Sequence, residues 1–470
     1  MTKSKIKEIA GTLDKKERIA FRKYLDSPYF NKRADVVILW NLIEKDLQKA
    51  QSGISKEQVF QQVYPGKAYL DRDFHLLRTY LLKHLENFLA IRQMEKMPLE
   101  KDMYLLQSLK QKNIRSRQAT LIDKIKKAHE KQAIRDTTYY ERKRDLLWEE
   151  YQIEVAERPS GNLYLGELME LTDIAYYSRK LRQVCLLVAH KSVYRVQDAG
   201  ELERSLDFLP QLEAGKLLKL PAIGVYYYGY LLFRDRNVKD HFQKFKGMLF
   251  DHSSCFDPSE LRELVLMAIN YCVRLVNDGD RSYFPELLEL YQLGLVQDIL
   301  LDNGQLSRFT YHNVVATGLQ VQQYDWVKTF INDYQSYLEE AYQEPSFLYN
   351  MARLEFETGN LDSAQERLIQ THFNDILLNL AAKTISLKIY YQQAEHDLLL
   401  AHLHAMNKFV RRNKVIGYHK KNYLNIVRYA TKLINTNKFD REARNKLREE
   451  ILAEEILTEK NWLLEQLIIN

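Results

Sequence analysis

Between residues 401 and 450 this chain carries thirteen Lys or Arg and only four Asp or Glu, although all 470 residues sum to a formal charge of just +6. Crowded guanidinium and ammonium groups suit one kind of chemistry, the electrostatic holding of phosphates or of an acidic protein surface. Within this stretch Tyr423, Ile426, Val427, Ala430, Leu433 and Ile434 recur at helical spacing and predict an inward face. Lys421, Asn425, Arg428 and Lys432 are then left along the outer face, and Lys408, Arg411 and Arg412 are placed to extend the stripe. A second polar set, Arg72, His75, Thr79 and Lys83, steps by three and four residues along another predicted helix and would line its exposed face.

Residues for bond-making chemistry are harder to assemble. Pro65-Gly66-Lys67-Ala68 lacks the upstream glycine and the following Ser or Thr of a phosphate-binding loop. No dinucleotide fingerprint and no Gly-x-Ser-x-Gly elbow occur. His396, His402 and His404 miss the i, i+4 spacing that puts two metal ligands on one helical face. Cys185, Cys255 and Cys272 show no Cys-x-x-Cys spacing and read as buried structural thiols. The expectation is therefore a protein that is not an enzyme and uses no metal and no cofactor. The charged start, Met1 to Ile9, leaves no room for the apolar core of a signal peptide, and no apolar run approaches the ~18 residues of a membrane span. A cytoplasmic protein is expected.

The elements that position these residues are predicted to be helices throughout. Only 16 Gly and 9 Pro punctuate the chain, and 28% charged with 46% hydrophobic residues fits amphipathic helices. Asp14 with Glu17 and Ser55 with Gln58 are capping-box pairs, and Ser27-Pro28 and Pro65-Gly66 are stops. From Arg72 to Ile91, Phe74, Leu77, Leu81, Leu85 and Phe88 define one inward face. Long helices are expected over 99–158, with weak breaks at Asn113 to Ser116 and Asp136 to Thr138, and Pro159 to Asn162 is the clearest break of all. Beyond it, helix pairs are predicted at 163–196, 201–218, 222–250, 259–294, 306–340, 346–369 and 376–412. A helix over 418–434 and a long terminal helix after Asp440 close the chain.

The array repeats. Asn350 precedes Gly359 by nine residues as Asn270 precedes Gly279, and Asp325, Asp362 and Asp397 follow one another at 37 and 35 residues. Met351-Ala352, Phe356, the turn Gly359-Asn360-Leu361-Asp362 and Ala364 together resemble a tetratricopeptide repeat, with a large-small pair on the first helix and a small residue on the second. The neighbouring units keep less of the pattern: Gln322-Gln323-Tyr324-Asp325 lacks the turn glycine, Ala394 replaces it before Asp397, and Pro285 falls in the second helix of another pair. The resemblance implies an α-α superhelix of stacked hairpins whose groove binds peptides, helices or domains. Groove-facing candidates are Asn313, Tyr349, Asn350 and Arg353. The 31 tyrosines, clustered as at Tyr226 to Tyr228, suit either helix packing or a recognition groove.

Helices 55–64 and 72–91 faintly resemble the last two helices of a helix-turn-helix or winged-helix domain, whose recognition helix would present Arg72, His75, Thr79 and Lys83. No hairpin wing is legible after it. The expected organisation is an N-terminal helical module over 1–95, long linking helices over 96–158, the repeat array over 161–436 and a capping helix over 437–470. Leu452, Ile456, Leu463, Leu464, Leu467 and Ile468 would close the last repeat or form a dimer contact. The function expected from all this is a scaffold or adaptor for a protein or peptide partner. The alternative is a regulator that touches nucleic acid through Arg72 to Lys83 or the 408–448 basic surface.

Overall fold

The structure, a computed structural model, describes residues 5–47, 55–157, 164–194, 206–235, 238–370, 375–413 and 418–468. Among them are 23 α-helices and one two-residue strand pair, so the chain is all-α. Contacts divide it into two compact units, one of residues 1–133 with 137–175 and one of 134–136 with 176–470. The break expected at Pro159 to Asn162 falls outside the described residues.

The first unit opens with α1 (Lys5–Thr12), α2 (Lys15–Asp26), α3 (Ala34–Leu47), α4 (Lys56–Val63) and α5 (Asp71–Lys96). Both capping boxes form: Glu17 N–H donates to Asp14 Oδ1 at 2.7 Å, and Gln58 N–H to Ser55 Oγ at 3.2 Å. The inward face read for α5 is the observed one, with Phe74, Leu77, Leu81, Leu85 and Phe88 all buried. Each such side chain contributes roughly 1.5–3 kcal/mol when fully buried. The α5 face is covered by α1, α2 and α3, and Trp40, wholly buried, meets Phe21 edge-on at 4.6 Å. Next come α6 (Pro98–Gln111), α7 (Arg115–Glu130) and α8 (Thr137–Glu157), around a smaller core of Leu106, Leu121, Ile122, Ile125 and Leu146. Asn113, at φ 55°, makes the break between α6 and α7 that the sequence signals. The unit has no strand among its described residues, and 91–103 is helix on both sides of Met97.

The next helix, α9 (Leu165–Tyr194), has residues in both units and is one 30-residue helix where a pair was expected. Its only helix breaker is Gly166, in the first turn, so nothing in its interior ends it. The second unit continues with α10 (Leu209–Ala214), α11 (Pro221–Arg234), α12 (Lys239–Asp251), α13 (Pro258–Asn277), α14 (Phe284–Val296), α15 (Arg308–Gln320), α16 (Tyr324–Tyr334), α17 (Glu340–Glu357), α18 (Leu361–Gln370), α19 (Ile376–Gln392), α20 (His396–Arg412), α21 (Tyr418–Asn435), α22 (Arg441–Ala453) and α23 (Lys460–Glu465). Pro285 occupies the first turn of α14, where its missing N–H has no helical partner to lose, so the helix is not broken. The pair predicted from 306 instead begins with a hairpin, Leu301–Asp302 against Gln305–Leu306, turned by Asn303 and Gly304 at φ 51° and 79°. An Asn-Gly pair with both φ positive is the turn that two-residue hairpins favour.

From α11 to α23 the extensive helix contacts join sequence neighbours or next-but-one neighbours, including α11 with α13, α15 with α17 and α17 with α19. The hairpin turns share one geometry. Gln322, Gly359 and Ala394 have φ 60°, 83° and 58°, and Gly279 has φ 104°. In each, the next N–H reaches the carbonyl five residues back: Asp280 to Leu275, Gln323 to Gly318, Asn360 to Glu355 and Glu395 to Tyr390, at 2.8–3.0 Å. This Schellman bonding satisfies carbonyls that a helix end would leave bare. The turn forms equally where glycine is missing.

The long terminal helix expected after Asp440 is two helices, α22 and α23, parted by 454–459, where Glu459 has φ 56°. One straight helix would hold Trp462, Leu463 and Leu467 away from the body. The reversal buries all three against a cluster with Leu380, Leu387, Leu403 and Leu433.

Candidate functional site

The groove candidates lie where α15, α17 and α19 meet. Asn350 is completely buried, its Nδ2 donating to His312 Nδ1 on α15 at 2.9 Å and to Ser346 O at 2.9 Å. A ring nitrogen that accepts carries no proton, and burial first, then the charges of Arg353 and Arg308, pulls His312 down to about 4. Tyr349 is buried too, edge-on to His312 at 5.4 Å, with Arg353 Cζ 5.7 Å from its ring. These three residues therefore join helices; of the set, Arg353 is half-exposed and Asn313 is exposed. Asn313 stands apart, on the exposed side of α15.

Sequence reasoning missed the clamp beside them. Arg308 Nη1 pairs with Asp375 Oδ2 at 2.8 Å, while its guanidinium lies 4.3 Å from the Tyr342 ring and 4.8 Å from that of Phe309. Asp375 also caps α19 through the N–H groups of Leu377 and Leu378, so one ion pair ties α15 to α19 across α17. Phe309 itself is 65% exposed. An Arg two residues past a Gln-Leu strand end gives no signal in sequence, because its partner lies 67 residues away.

The basic surface splits. Lys421, Arg428 and Lys432 are exposed as expected, yet each faces α22 or the turn after it: Arg428 reaches Glu454 at 2.7 Å, Lys421 reaches Glu454 at 3.9 Å, and Lys432 pairs with Glu450. Asn425, read as outward, is buried and donates to Ile456 O at 2.7 Å, because the terminal reversal covers that side of α21. Lys408, Arg411 and Arg412 are exposed on α20, with Arg411 donating to Asn407 at 2.9 Å.

On α5, Arg72, His75 and Lys83 are exposed and Thr79 is half-exposed, donating to His75 O at 2.9 Å. Arg72 pairs with Asp73 at 3.2 Å at a side-chain exposure of 90%, an ion pair of little energetic weight. The four share one face, opposite the buried one.

The most enclosed ionic cluster was also invisible. Glu260, 2% exposed, accepts from the Tyr226 hydroxyl and lies 3.3 Å from Arg182, which also reaches Glu263 at 3.0 Å. Burial raises the Glu260 carboxyl above its usual range and raises Tyr226 as well. Cys185 and Cys272 are buried with raised thiols, whereas Cys255 is half-buried. Among the described residues no group of three or more His, Cys, Asp or Glu could hold a metal ion, and no helix is long and apolar enough to cross a membrane. Compared with protein-family models, with curated proteins and with solved structures, the chain matches none.

Proposed function

We propose that α11 to α21 form a superhelix of tetratricopeptide-like hairpins, and that the chain is a non-enzymatic scaffold whose exposed helix faces hold a protein or peptide partner. One observation carries the reading. The left-handed turn residues Gln322, Gly359 and Ala394 stand three residues before Asp325, Asp362 and Asp397, each in the first turn of its second helix. The first helices α11 and α13, α15 and α17, and α17 and α19 also touch one another, and Gln393 donates to Asp362 at 2.8 Å from one turn to the previous one. Stacked in this way, the first helices would present one surface, on which an exposed aromatic and a fixed cation, Phe309 and Arg308, are the anchors suited to a partner.

The test is capture of partners from native lysate by the full chain, at low and high salt, with and without nuclease, alongside Phe309→Glu. Protein partners that survive salt and nuclease but are lost with Phe309→Glu uphold the reading. Recovery of nucleic acid, lost at high salt, sinks it in favour of a regulator that uses Arg72 to Lys83 or the basic surface.

A further inference from the structure

A cavity of about 460 Å³ opens among α19, α20, α21, α22 and α23. Its volume lies within the ~300–1,000 Å³ that small-molecule sites occupy. Tyr391, Leu433, Ile434, Phe439, Leu467 and Ile468 supply apolar walls, and the polar lining is His396, Thr436, Lys438, Arg444 and Gln466. Among the described residues no carboxylate lines it. Asp440, one turn before Arg444, directs its carboxylate at Ala443 N–H instead.

Arg444 is held in place rather than neutralised. It donates to Lys438 O through Nη1 at 2.9 Å and to Gln466 O through Nη2 at 3.4 Å. A guanidinium has five N–H donors, and these two bonds leave one hydrogen on each of Nη1 and Nη2 for a ligand. The walls have a matching deficit: Phe439 is 94% exposed and Ile468 66% exposed. Two further cavities differ, since in each a lining cation is matched by an acid of the same lining, Arg142 by Glu100 in one and Lys126 by Glu150 in the other.

We propose that this cavity binds a small organic acid, its single carboxylate held by Arg444 and Lys438 and its aliphatic or aromatic body covering Phe439, Leu467 and Ile468. One carboxylate suits the site better than phosphate, because Arg444 already gives two donors to backbone carbonyls and only Lys438 adds a second charge. The residues are distinct from those on α15 and α17, so the site stands or falls independently of the partner-binding reading.

The experiment is isothermal titration calorimetry of the full chain with octanoate, with octan-1-ol, which keeps the chain without the charge, and with inorganic phosphate, an anion without the chain. Octanoate should bind at one site per chain, with octanol and phosphate each at least about tenfold weaker. Lys438→Gln, at an exposed side chain, should weaken octanoate several-fold, Arg444→Gln at least about tenfold, and Arg444→Lys should recover part of that. Thermal melts of each variant identify any that no longer fold, and Lys438→Gln keeps the question open to disproof if Arg444→Gln unfolds. Octanol binding as tightly as octanoate, phosphate doing so, or octanoate affinity unchanged in Lys438→Gln and Arg444→Gln would each overturn the proposal.

Discussion

His312 illustrates how one buried ring couples stability to pH. Its folded-state value is about 4 against an ordinary 6.5, so between those pH values the unfolded chain binds a proton that the folded chain refuses. Its stabilising contribution is complete above pH 6.5 and is lost as pH falls toward 4. His402, on α20, is lowered as well by burial and acts in the same direction. Urea unfolding should therefore give a stability lower by roughly 1–3 kcal/mol at pH 5 than at pH 7.5, and His312→Gln should flatten that dependence. An equal dependence in the variant would refute the assignment. At Glu260, removal of one partner leaves the Tyr226 hydroxyl and Arg182 without their buried acceptor, so Glu260→Ala should lose roughly 3 kcal/mol in denaturant unfolding. The double replacement Arg182→Met with Glu260→Met should lose less, because no buried charge is stranded.

At the scale of the element, the turns between hairpins offer a matched pair of tests. Gly359 and Ala394 hold the same left-handed conformation, and a Cβ at Gly359 would meet nothing within 4 Å, so only the backbone term separates them. Gly359→Ala should destabilise by about 1 kcal/mol and Ala394→Gly should stabilise by up to about 1, read from thermal or urea melts. Opposite signs are the diagnostic result. Gly318 answers a different need: a Cβ there would lie 2.4 Å from Val327 Cγ2, because α15 and α16 approach closely at that point. Gly318→Ala should cost about 1–3 kcal/mol through overpacking. Helix existence, the capping boxes and the inward face of α5 were legible in sequence because each depends on residues within one or two turns. The Asn303-Gly304 hairpin was equally local and was overlooked, its two-residue strands being too short to alternate.

For the whole molecule, the relevant quantity is how the surplus positive charge of 401–450 is distributed. Glu450 and Glu454 sit against Lys421, Arg428 and Lys432, which leaves Lys408, Arg411 and Arg412 as the part of the stripe without a carboxylate partner among the described residues. Replacing both acids by Gln should release three cations. Affinity for a DNA duplex, followed by fluorescence anisotropy, should then rise, and its dependence on log salt should steepen by up to about 3. No change would show that the α21 face makes no phosphate contacts.

What the sequence by itself determined is local: a chain that is helical nearly throughout, several of its turns, the apolar face of helices such as α5, and the near-even spacing of Asp325, Asp362 and Asp397. These follow from propensity, capping and periodicity, which act over a few residues. Only the tertiary structure decided which polar residues meet. Asn350 became a buried strut to His312, 38 positions away, and Asn425 went inside because the chain reverses after Ala453. Arg444 was fixed between Lys438 and Gln466 by the same reversal, which also shaped the cavity it lines. Burial and pairing across such distances depend on which helix faces are brought together, and that choice is made by the sum of all packing contacts rather than by any one segment.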